Sequence, residues 1–113
     1  LIAPTHFTRV PRPVNLTAAS DTTVTGKRQI ELQWSVNSEE NLKDFSVSRA
    51  FQINPASKIT FSTVVLNYTK TTYVDSAIIN FSDSLMVFYY IQPRGIDTFA
   101  GENSDTVKIT LIK

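Results

Sequence analysis

Few side chains in this 113-residue sequence are of a type that does chemistry, and their spacing argues against catalysis. The single histidine, His6, falls in a proline-flanked stretch ahead of the first apolar alternation. A hydrolytic triad needs a base beside its nucleophile, and the chain holds no second imidazole and no cysteine. Glu39 and Glu40 form the one adjacent acid pair, but neighbours on a loop point apart into water, which suits solvation better than general acid–base work. The reading is therefore of a chain without catalytic residues, not an enzyme.

Metal and recognition signals are equally thin. Asp97, Glu102, Asn103 and Asp105 surround Gly101 with oxygen donors, yet their spacing fits no established calcium loop and suits turn formation instead. No metal ligand set and no cofactor site is predicted. Arg94-Gly95-Ile96-Asp97 approximates an Arg-Gly-Asp tripeptide, but the inserted isoleucine changes the charge separation. The candidate partner contacts are Phe99, an aromatic in the last turn, and the acidic pair Glu39 and Glu40 on a polar loop. Asn15-Leu16-Thr17, Asn67-Tyr68-Thr69 and Asn80-Phe81-Ser82 match the N-glycosylation pattern.

Composition bounds the partners. A formal net charge of +1, with basic residues scattered along the chain, gathers neither phosphates nor an anionic membrane, so nucleic acid is not an expected partner. The absence of cysteine removes disulfide and thiolate chemistry together. No apolar run approaches the roughly 18 residues of a membrane helix. A domain of this length buries about two-thirds of its unfolded surface and needs no staple. The chain begins at Leu1 with no basic-then-apolar leader, which predicts a piece cut from a longer or processed precursor.

The elements that must position these side chains follow from period-two alternation. Ile30, Leu32 and Trp34 alternate with Glu31, Gln33 and Ser35; Phe45 and Val47 repeat the pattern, as do Tyr89 with Ile91 and Val107 with Ile109 and Leu111. Strands are predicted over residues 14–19, 28–36, 43–50, 59–66, 71–75, 86–96 and 105–113, and no segment keeps a 3.6-residue period. Residues 1–12, with Pro4 and Pro11, read as an extended lead, and residues 13–113 as one domain. Seven strands separated by turn signals predict an all-β, immunoglobulin-like, seven-stranded antiparallel Greek-key sandwich. Its expected core is Leu32, Trp34, Phe45, Val47, Tyr73, Tyr89 and Ile91.

Five dispersed motifs, in order, resemble a fibronectin type III module of bacterial extracellular type. They are Pro13-x-x-Leu16, Leu32-x-Trp34, Phe45-x-Val47-x-Arg49, Thr72-Tyr73-Val74-Asp75, and Tyr89-x-Ile91 followed by Gly101-x-Asn103-Ser104. The resemblance implies a non-catalytic spacer or adhesion module of a larger secreted, cell-surface or periplasmic protein. Its partners would be neighbouring domains of the same polypeptide, and a polysaccharide or cell-surface protein where it binds at all. A carbohydrate- or protein-binding accessory module of an extracellular glycoside hydrolase is the alternative. The resemblance also implies a tyrosine corner at Tyr89, its hydroxyl bonding back to main chain. One departure is Pro93, which stands where an inward valine is expected and predicts a bulge or an early end to pairing. Asp21-Thr22-Thr23, Asp75-Ser76-Ala77, Asp83-Ser84-Leu85 and Asp105-Thr106-Val107 resemble the acceptors of a bacterial general O-glycosylation system.

Overall fold

The computed structural model describes residues 10–24, 27–38, 41–53, 56–76, 78, 84–96 and 99–112. Seven strands follow one another: β1 (Val14–Val24), β2 (Lys27–Ser35), β3 (Leu42–Gln52), β4 (Ser62–Tyr68), β5 (Thr72–Asp75), β6 (Ser84–Gly95) and β7 (Val107–Ile112). They build two antiparallel sheets, one ordered β1-β2-β5 and the other β4-β3-β6-β7. The fourth strand lies beside the third and not beside the fifth, unlike the constant-type immunoglobulin arrangement.

Alternation decides which side chains meet between the sheets. Ile30, Leu32 and Trp34 from β2 face Phe45 and Val47 from β3 and Leu85, Val87, Tyr89 and Ile91 from β6, all buried in one cluster with Leu111. Full burial of each large side chain contributes about 1.5–3 kcal/mol, so this cluster carries the fold. Trp34 sits edge-on to Phe45 with ring centroids 5.5 Å apart, the arrangement that ring quadrupoles favour. Tyr73 is half-buried and packs against the edge of the cluster, its ring 5.4 Å from that of Tyr68. Ile78, from the connection before β6, packs there too.

Most strand boundaries shift by one or two residues from the sequence expectation, and two shift further. β1 runs on to Val24, because Ser20 and Asp21 pair with Ile30 and Gln29 across the first hairpin despite their turn-forming character. β4 begins at Ser62, three residues later than expected, and Ile59 stays exposed; ahead of it the Gln52 side chain donates through Nε2 to the Ser57 carbonyl at 2.6 Å.

Pro93 does not bulge against β3: it pairs with Phe45 in unbroken register and is fully buried. Odd-numbered residues of β6 turn their backbone groups toward β7, as the Ser104 amide on the Ile91 carbonyl and the Gly101 amide on the Pro93 carbonyl show. The missing proline N–H therefore falls on the side where the β6–β7 ladder has already ended, at Tyr89 opposite Val107. Beyond that point the Ser104 hydroxyl accepts from the Ile91 amide at 2.8 Å, replacing a ladder bond.

Candidate functional site

The strand registers sort the connections into two poles. Val14 pairs with Ser35 and Leu42 with Gly95, so the start of β1, the end of β2, the start of β3 and the end of β6 share one end. The Ile96 amide donates to the Asn41 carbonyl at 2.9 Å and locks that grouping. Gln52 opposite Met86 and Ser84 opposite Ile112 define the other end, where the chain leaves.

Phe99 stands at the first pole, 69% exposed, with Ile96 at 65%. Its carbonyl accepts from the Gly95 amide at 3.0 Å, which holds its backbone in the hairpin and leaves the ring at the surface. Glu39 and Glu40, the other candidate contacts, lie outside the described residues, as do His6 and Asp97. Phe51 and Gln52 are at the far pole, so the two exposed connections do not combine.

Of the oxygen donors around Gly101, Asp105 forms an ion pair with Arg12, and the Asn103 carbonyl accepts from Arg12 Nε at 2.8 Å. Among the described residues no three acidic or histidine side chains converge as a metal would require. Arg94 lies in β6 and reaches across the outer face of its sheet, donating through Nε to Asp44 Oδ1 at 3.0 Å and through Nη2 to Asp44 Oδ2 at 2.6 Å. The same Nη2 donates to Asn67 Oδ1 at 2.5 Å. The hydrogen bonds to Asp44 raise the Arg94 pKa further. These three residues edge a shallow cleft floored by Phe45 and Pro93 and bounded by Leu66 and Ala100. Asn15 and Asn67, two of the N-glycosylation matches, are exposed and hold φ near 57°, a left-handed setting that asparagine tolerates; Asn80 is outside the described residues.

A second polar cluster lies between the sheets. Asp75, the last residue of β5, is 1% exposed, and Arg49 of β3 donates through Nη1 to both its carboxylate oxygens at 2.9 and 2.8 Å. Tyr89 of β6 donates its hydroxyl to Asp75 Oδ2 at 2.6 Å. The expected tyrosine corner is thus corrected: the hydroxyl satisfies a buried carboxylate, not a backbone carbonyl. The physical reason is that Asp75 shares the inward register of Tyr73, and a buried carboxylate demands every donor within reach. Burial first, then the hydrogen bond to Asp75, pushes the Tyr89 pKa far above its ordinary value. Arg49 also rests over the Phe51 ring, 4.6 Å from its centroid, which shields the guanidinium from water.

Sequence reasoning missed this cluster, although its signal was present. Arg49 continues the inward alternation of Phe45 and Val47, and Asp75 that of Tyr73, so opposite charges occupy inward registers of facing sheets. With its only strong acid, cation and phenol tied to one another, the cluster does structural work: it joins the sheets.

No protein-family model matches this chain, and no curated protein does either. Among solved structures, a myokine structure is similar over 88% of this chain and 95% of its own, at 17% sequence identity and a TM-score of 0.58. The chain has a fibronectin-like β-sandwich fold. At that identity the likeness speaks to the fold alone.

Proposed function

We propose that this fibronectin-like sandwich is a non-catalytic spacer or adhesion module of a larger bacterial secreted or cell-surface protein, bearing on neighbouring domains of the same polypeptide. The observation that carries this reading is polarity of connection. The chain comes in beside Gly95 and Phe99 and leaves beside Ser84 and Gln52, so domains on either side would be held a full strand length apart. The Arg49–Asp75–Tyr89 cluster supports it, because these three titratable side chains bond to one another and so join the two sheets.

A second reading has an observation in its favour: Phe99 and Ile96 present an apolar pair on the first pole, as the carbohydrate- or protein-binding accessory module of a glycoside hydrolase would. A glycan array and calorimetric titrations with the wild type and Phe99→Ala separate the two. The spacer reading expects no retained ligand with either protein. Saturable binding to the wild type that Phe99→Ala abolishes would overturn it in favour of recognition.

A further inference from the structure

The lead segment ahead of β1 is short of hydrophobic periodicity, yet the structure gives it a seat. Val10 is only 6% exposed, and Pro13 is fully buried. Both flank Arg12, which donates through Nε to the Asn103 carbonyl at 2.8 Å and pairs with Asp105, ninety-three positions along the chain. The seat itself is Gly101. A Cβ placed there would lie 3.2 Å from the Val10 carbonyl oxygen, 3.5 Å from the Val10 Cβ and 3.0 Å from Pro93 Cγ. The Gly101 amide meanwhile donates to the Pro93 carbonyl at 2.8 Å, which holds the glycine backbone against β6. A side chain there would crowd Pro93 and the Val10 carbonyl by a few tenths of an ångström, so the bare glycine favours the close approach of Val10.

We infer that residues 10–13 are a clamp, bound to the β6–β7 connection at Gly101, Asn103 and Asp105, which fixes the direction from which the preceding polypeptide reaches this module. A linker ending at Val14 would swivel about the start of β1. A chain pinned at Val10 cannot, because it is fastened to the second sheet as well as the first. Pro11 and Pro13 reinforce this, since proline fixes φ and holds its predecessor extended, so the pinned residues have few conformations to lose. The same seat lies next to Phe99, so incoming chain arrives at the exposed pole of the sandwich. This inference rests on the spacer reading and deepens it, because a spacer with a clamped approach transmits orientation as well as distance.

Backbone ¹⁵N relaxation of the whole 113-residue chain tests it. The amides of Val10 and Arg12 are expected to have order parameters near the rigid value of about 0.85, matching those of Ile91 and Val47, whereas values below about 0.6 would overturn the clamp. Gly101→Val is expected to lower the order of Val10 and Arg12 while leaving Ile91 and Val47 rigid. Should that variant fail to fold, Val10→Ser and Arg12→Gln, which act from the lead side, are expected to loosen the same two amides. Unchanged order in these variants would also refute the role of the seat. The outcomes separate from those of the spacer reading: a ligand captured by a chain with a rigid lead removes the spacer alone, and a mobile lead with no ligand removes the clamp alone.

Discussion

Tyr89 donates its hydroxyl to Asp75 Oδ2 at 2.6 Å, a phenol from one sheet closing on a carboxylate from the other, with neither more than 1% exposed. Deleting one donor to a buried carboxylate leaves an acceptor underused without opening a cavity. Tyr89→Phe is therefore expected to cost about 1–3 kcal/mol in urea unfolding, with an unchanged m-value. In a double-mutant cycle with Asp75→Asn the two losses should be coupled by more than about 0.5 kcal/mol. Simple additivity would show that the hydroxyl acts through packing only.

Arg49 carries the larger share of the same cluster. Arg49→Met keeps the stem over Phe51 but removes the cation facing the Asp75 carboxylate between the sheets, a loss that costs about 3–5 kcal/mol when one partner of a buried pair is removed. Replacing both, Arg49→Met with Asp75→Leu, should recover part of that loss, because the buried charge goes with its partner while the Tyr89 hydroxyl loses its acceptor. Chemical denaturation of the single and double variants checks the order; a double variant no more stable than Arg49→Met contradicts it.

The raised pKa of Tyr89 sets the alkaline limb of stability. Its folded-state value lies above the unfolded value near 10.0, through burial first and the Asp75 hydrogen bond second. The folded state thus keeps a proton that the unfolded chain gives up. The contribution is complete below pH 10 and is lost as the pH climbs beyond it. Tyr73 is raised in the same direction, by burial and then by Asp75. Thermal melts across the alkaline range should show Tm falling above pH 10, with a shallower fall in Tyr89→Phe. Phenolate absorbance should show one tyrosine ionising only as the protein unfolds, and four tyrosines titrating together in the native state would rule this out.

Much of this was legible in the sequence, and the exceptions share one physical origin. Leu32, Trp34, Phe45, Val47, Tyr89 and Ile91 are apolar or aromatic, recur every second residue, and lie buried in the structure. The period itself names their face. Arg49 and Asp75 obey the same period, but a charge in an inward register makes sense only once its partner on the facing sheet is known, and register between sheets is not written in either strand. Val10 was illegible for a related reason: its burial is favoured by Gly101, a residue ninety-one positions later whose contribution is the absence of a side chain. Ser20 and Asp21 read as a turn by composition and became strand because a hairpin partner was available.

Trp34 offers the last test, since it combines the largest core side chain with a polar atom that the core does not serve. Its ring is 4% exposed, and its Nε1–H is buried without a hydrogen-bond acceptor among the described residues. Trp34→Ala removes the contacts with Phe45 and Tyr68 and should cost about 3–5 kcal/mol. Trp34→Phe keeps an aromatic ring against Phe45 and discards the unserved donor, whose burial costs about 1–3 kcal/mol, so its penalty should be well under half that of alanine. Urea unfolding followed by circular dichroism gives both values, because the only tryptophan is the residue being changed. Equal losses in the two variants would mean that the indole nitrogen finds a partner after all.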